Sequence, residues 1–140
     1  MKKIWIQKRN RAVWIIAMGL IGLLFCMEGH AFAEDSVHGT YISSEGRSIV
    51  LELQILSPPP SSLIVQQFLP PGTEIVSAKP ELKQFRQDKG IAKWLLTKLA
   101  PGKLSIDLQL AATLPAGTVR AEVRYRDQIT GKMVQKEIKP

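Results

Sequence analysis

Arg120, Arg124 and Arg126, with Glu122 between the first two, are the residues whose type and spacing most suggest chemistry. In an extended chain, side chains two and four positions apart project from the same face. A guanidinium is a permanent cation with five in-plane N–H donors, so several on one face suit recognition of acidic groups. The set has two readings. One is a solvated strand face whose charge discourages edge pairing. The other is a binding face for an acidic surface, a polysaccharide or a partner protein. Lys136, on the strand that follows, extends the patch if the register allows.

Other chemistries have less to work with. Glycoside hydrolysis needs two carboxyl groups facing across a cleft, with their proton affinities pushed apart. Glu52, Asp107 and Glu122 fall at outward positions of predicted strands, and the short, proline-rich loops between strands offer little from which to build a cleft. His38 is the one histidine after position 33, in Val37-His38-Gly39-Thr40, with no partners for a hydrolase triad or a zinc site. No G-x-S-x-G, H-E-x-x-H or glycine-rich phosphate loop occurs. The expectation is a non-catalytic chain with no catalytic residue, no metal ligand and no cofactor.

The elements that would carry these residues begin after an export signal. Lys2, Lys3, Lys8, Arg9 and Arg11 form a basic start, Ala12 to Met27 an apolar run of 16 residues, and Ala31-Phe32-Ala33 a small-x-small site. That order is the grammar of a secretory signal, cut here between Ala33 and Glu34. A membrane-spanning anchor would need about 20 apolar residues, more than this run supplies. Cys26 raises lipidation as another alternative, but Phe25 stands before it where a small residue is required. The expected destination is the periplasm or the extracellular space, with membrane contact only through the signal.

Discarding that segment changes the charge argument. The whole chain is +7, yet five of its 19 basic and one of its 12 acidic residues fall in 1–33, which leaves 14 and 11, a net of +3. That is an ordinary surface charge, and no aromatic residues interleave the basic ones, so nucleic acid is excluded as a partner. The sole cysteine, Cys26, leaves with the signal, so no disulfide staples the rest. The remaining 107 residues suffice for one domain held by its apolar core.

Along that remainder the apolar residues recur with period two. Ile49, Leu51, Leu53 and Ile55 share one face, as do Leu104, Ile106, Leu108 and Leu110, and Val119, Ala121, Val123 and Tyr125. Alternation of this kind means strands with one wet face, hence antiparallel sheets. Further strands are predicted over Leu63–Leu69, Glu74–Ala78, Leu82–Gln87, Ile91–Leu96 and Met133–Ile138, separated by proline and glycine turns. Ala92 to Ala100 contains good helix formers, but it lies between a tight turn and Pro101-Gly102 and reads as strand, then loop. The total is about seven to eight strands in an all-β, two-sheet antiparallel sandwich. Trp94, Tyr125 and Phe68 are expected between the sheets. The organisation is a signal over 1–33, an N-terminal segment or first strand over 34–47, and the sandwich over 48–140.

The order of these pieces resembles a family of exported bacterial domains, the conserved-repeat domain of unknown function. That family carries D-x-L-P-x-G, then F-V-S-A, then W-x-L-x-x-L-x-P-G. The stretches here are Gln67-Phe68-Leu69-Pro70-Pro71-Gly72, then Glu74-Ile75-Val76-Ser77-Ala78, then Trp94 to Gly102. Gln67 stands where the family has an acidic residue, and one copy stands where the family often has tandem arrays. The resemblance implies an immunoglobulin-like sandwich acting as a surface spacer or binding module.

The expected function is therefore an exported structural or interaction module that binds another envelope or extracellular protein through the basic strand face or an edge strand. A subunit of a self-assembling surface filament is the alternative, with 34–47 adding to a neighbour's sheet. A glycan-binding domain is the second alternative.

Overall fold

Apolar side chains at every second position leave water only if the sheet face they form is covered by another layer. In the computed structural model, which describes residues 34–140, they do so in nine strands and no helix. The strands are β1 Val37–Ser43, β2 Gly46–Ile55, β3 Ser62–Phe68, β4 Ile75–Lys79, β5 Gln84–Arg86, β6 Ile91–Thr97, β7 Gly102–Leu114, β8 Arg120–Arg126 and β9 Met133–Ile138. They make a four-stranded sheet, β1-β2-β7-β4, and a five-stranded sheet, β5-β6-β3-β8-β9, with every pairing antiparallel. The count is nine rather than seven to eight. Residues 34–47 supply β1 and the start of β2. The expected signal over 1–33, with its cut after Ala33, lies outside the described residues.

The inner faces are the alternating sets. Ile49, Leu51 and Leu53 of β2 and Ile106, Leu108 and Leu110 of β7 meet Leu63 and Val65 of β3, Ala92 and Trp94 of β6, and Ala121, Val123 and Tyr125 of β8 in one apolar cluster. Burying a side chain of this size contributes about 1.5–3 kcal/mol, against at most about 1 kcal/mol for an exposed ion pair. The core therefore outweighs the five surface ion pairs found among the described residues, from Lys103–Glu52 to Lys139–Glu137. Trp94 is wholly buried, and its indole N–H is satisfied by the Pro80 carbonyl at 2.9 Å.

Phe68 is not part of this layer. Leu63, Val65, Gln67 and Leu69 hold the inward phase, so Phe68 falls on the outer face and Gln67, 1% exposed, lies inside. The amide is tolerated because it is bonded. Its Nε2 donates to the Tyr41 hydroxyl of β1 at 2.6 Å and to the Arg120 carbonyl of β8 at 3.2 Å, joining the two sheets. A second polar tie runs from Ser36 Oγ to Asp127 Oδ2 at 3.0 Å. The other oxygen of Asp127 accepts from the Ile129 and Thr130 amides at 2.9 and 2.7 Å and folds the β8–β9 turn. Those bonds, the Thr130 amide first, hold its carboxyl below the usual carboxylate range.

Close backbone approach decides one turn. Gly90 ends the β5–β6 hairpin at φ +66°, and a Cβ there would overlap the Leu69 carbonyl oxygen. The approach is held by the Leu69 amide donating to the Gly90 carbonyl at 2.7 Å and the Gly72 amide donating to the Gln87 carbonyl at 2.8 Å. The hairpin tip is thereby fixed against the end of β3.

Two outcomes follow from these contacts. Replacing Gly90→Ala strains the left-handed conformation and crowds a carbonyl that cannot move freely, so the urea midpoint should fall by the equivalent of at least about 1 kcal/mol. Burial pushes the Tyr41 hydroxyl up to about 12, against the opposing hydrogen bond from Gln67 and charge of Arg120. A tyrosine is neutral while protonated, so the unfolded chain releases this proton at about pH 10 while the native state still holds it. The stabilisation from Tyr41 is whole below about pH 10 and is lost as pH rises through about 12. The urea midpoint should be level up to about pH 10 and decline above it. Tyr41→Phe should shrink that decline to the part owed to Tyr125, which burial also raises. At neutral pH the same variant should cost about 1–3 kcal/mol, because the Gln67 amide loses a partner. A decline of unchanged size in Tyr41→Phe would refute the assignment.

Candidate functional site

Strand β8 lies between β3 and β9, and its phase is set by what it buries. Ala121, Val123 and Tyr125 point into the core, so Arg120, Glu122, Arg124 and Arg126 must point out. The three arginines of the sequence pattern thus share the outer face of the five-stranded sheet. Glu122 is less exposed than its neighbours and accepts from Arg124 Nε at 2.8 Å. Arg120 donates from an Nη to Glu137 Oε1 of β9 at 3.3 Å. Its guanidinium also stacks on the ring of Phe68, 3.9 Å from the ring centre.

Register extends the face across the sheet in rows. Arg120 lies opposite Phe68 of β3, Phe68 opposite Ile91 of β6, and Ile91 opposite Arg86 of β5. In the next row Glu137, Glu122, Gln66, Lys93 and Gln84 follow one another, and in the third Gln135, Arg124, Ile64 and Leu95. Five cations, Arg86, Lys93, Arg120, Arg124 and Arg126, therefore share this face with two carboxylates, Glu122 and Glu137. Leu95 is 46% exposed there and Met133 63%. Arg86 and Lys93 are seen only once the strands are paired, because their partners are far away in the chain.

Lys136 does not belong to the patch. It pairs with Val123, an inward residue, and so takes the inward phase of β9; its ammonium reaches round to Asp35 Oδ2 at 2.7 Å. It ties the segment before β1 to the edge of the five-stranded sheet.

The carboxylates considered for catalysis are not brought together. Glu122 is on the basic face, while Glu52 and Asp107 lie on the outer face of the other sheet, where Glu52 pairs with Lys103 at 2.9 Å and Asp107 accepts from Ser105 at 2.9 Å. His38 is exposed on β1 opposite Gln54. Among the described residues no group of three or more His, Cys, Asp or Glu side chains is arranged to hold a metal ion.

Sequence comparison finds no matching family model and no matching curated protein. Two solved structures are similar in part. The human F-spondin reeler domain is 10% identical with a TM-score of 0.42, over 75% of this chain and 89% of that one. The GH20 exo β-N-acetylglucosaminidase from Vibrio harveyi, solved in complex with N-acetylglucosamine, is 11% identical with a TM-score of 0.36, over 73% of this chain and 17% of that one. At these values neither assigns a family or an activity to the chain.

The stack at the corner of the face can be measured. A double-mutant cycle of Phe68→Ala and Arg120→Ala, read from unfolding free energies, should give a coupling of about 0.5–1 kcal/mol, the range of exposed cation–π pairs. A coupling indistinguishable from zero would show that the two side chains merely lie near each other.

Proposed function

We propose that this chain is an exported, non-catalytic interaction module of the immunoglobulin-like type, and that it binds an acidic protein of the envelope or extracellular space through the outer face of the five-stranded sheet. The charge pattern of that face is the observation that carries the reading. Five cations stand against two carboxylates on one regular surface, with exposed Leu95 among them. Such a face steers an acidic partner into encounter, and its apolar members then exclude water from the contact.

The immunoglobulin-like part rests on strand order. If β1, β2, β7 and β4 take the places of strands A, B, E and D, and β3, β8 and β9 those of C, F and G, both sheets have the neighbours of that fold. The departure is the β5–β6 hairpin, which follows β4 in sequence and adds to the free side of β3. The resemblance of Gln67–Gly72, Glu74–Ala78 and Trp94–Gly102 to the conserved-repeat domain points the same way, and export rests on the pattern of residues 1–33. The filament reading has less in its favour. Ile42 on β1 and Val76 on β4 are exposed on edge strands, but the ladder is interrupted beside each, which blunts an edge against further pairing.

The test is capture of the partner from the native envelope, followed by binding measurements on the purified pair. The double variant Arg124→Glu/Arg126→Glu should weaken binding by more than about tenfold. Raising salt to roughly 0.5 M should weaken the native pair, since charge attraction across an exposed face is screened within a few Å at that strength. A partner bound equally well by native and reversed faces would overturn the reading.

A further inference from the structure

The basic face ends in a cleft of about 610 Å³, bounded by the β3–β4 turn, the tip of the β5–β6 hairpin, the β7–β8 turn and the end of β9. That volume is in the range of sites that enclose a drug-sized ligand, room enough for a side chain together with its flanking backbone. Buried Leu69 and Val119 line its inner part, and Lys89, Arg120 and Lys139 are its ionisable side chains; no carboxylate side chain lines it. The chain has thus collected three cations from three separate segments around one concavity.

Backbone and side-chain contacts position two of these cations. Lys89 rides on the hairpin tip that the Leu69–Gly90 and Gly72–Gln87 backbone bonds fix against β3. Arg120 is held by its stack on Phe68 and by Glu137, which also contacts Lys139 at 3.4 Å. One carboxylate between two cations leaves the group with an excess of positive charge, and Lys89 adds to it. Stacking uses the flat face of the guanidinium, so its remaining in-plane N–H groups are free to donate, and the ring keeps water off one side. A planar carboxylate is the acceptor that matches this fork.

We infer that the cleft receives an aspartate or glutamate side chain from an extended acidic segment of the partner protein and anchors the interface there. The inference rests on the binding face proposed above. A sugar acid is the weaker occupant. Pyranose rings seat on bare aromatic faces, whereas the Phe68 ring is covered by Arg120, and no other aromatic residue lines the cleft.

The experiment is a backbone-amide NMR titration of the purified protein with three probes: a capped acidic tetrapeptide, its Gln counterpart, and an oligogalacturonate. The acidic peptide should shift the amides of Lys89, Thr118 and Arg120 saturably, and the Gln peptide should not. Lys89→Gln and Arg120→Gln should each weaken the peptide by about tenfold, the loss of one charge-assisted contact. Lys103→Gln, on the outer face of the four-stranded sheet and away from both the basic face and the cleft, should change it by less than about twofold on the same scale. Lys89 is exposed at a turn, so its variant folds even if Arg120→Gln proves unstable. Shifts spread evenly over Arg124 and Arg126, uronate binding in place of peptide, or no saturable shift would each overturn the inference. A native partner that is lost on reversal of Arg124 and Arg126 but unaffected by Lys89→Gln would overturn the cleft and leave the broader face standing.

Discussion

No disulfide can join the two sheets between residues 34 and 140, because the only cysteine of the chain is Cys26. The apolar layer must therefore hold them, and it is built from single faces of strands. Trp94 is wholly buried in it and satisfied at its one polar atom by the Pro80 carbonyl. A layer held by burial alone admits no error of phase, since a one-residue slip of any strand exchanges its inner and outer faces. Everything outside the core inherits its position from that requirement.

The basic face is such an inheritance. Once Ala121, Val123 and Tyr125 are committed to the core, the intervening positions of β8 can only face water, and the sequence places Arg120, Glu122, Arg124 and Arg126 there. The partners of β8 do the same in their own phase. Phe68 faces outward because Val65, Gln67 and Leu69 face inward, and the antiparallel register with β8 sets it opposite Arg120. The stack that orients Arg120 is thus a consequence of core packing on two strands, and the cleft beside it follows from where their ends and the Gly90 turn meet.

The alternating strands were legible in the sequence because each announces its phase over several residues. β2 and β8 bury the residues their periodicity names, β7 buries Ile106, Leu108 and Leu110 and half-buries Leu104, and β9 spans Met133–Ile138. The Ala92–Ala100 stretch ends as a strand at Thr97 and turns at Lys98, which takes φ +55°. Phe68 obeys the phase of its own strand against its hydrophobicity, and Gln67 takes the inward phase against its polarity. A buried amide carries no signal in sequence when its partners, Tyr41 and Arg120, are 26 and 53 positions away. β5 has three residues, too few to show a period. Arg86, Lys93 and Lys89 join the site through register and turn geometry, which are properties of pairing between distant segments. Lys136 shows the same limit in reverse. Its strand is legible from the sequence, and its face is set only by its pairing with Val123.

The polar ties between the sheets explain why β1 has one place. It is an edge strand, it borders β2 alone, and its inward residues are few: Val37, Gly39 and Tyr41. Apolar burial by Val37 is a weak guide for seven residues, and the free edge could in principle slide or pair elsewhere. Three directional contacts remove that freedom. Tyr41 meets Gln67 inside the core, Ser36 meets Asp127 at the β8–β9 turn, and Asp35 meets Lys136 on β9. Between them Gly39, lacking a side chain, makes room for Ile138 to fold over the strand. A shift by one residue would expel Val37, bury His38, and leave the Gln67 amide without its hydroxyl, a cost of about 1–3 kcal/mol for that group alone. Beyond the burial that the core supplies, the contribution of these contacts is to make one register of β1 distinctly better than the next.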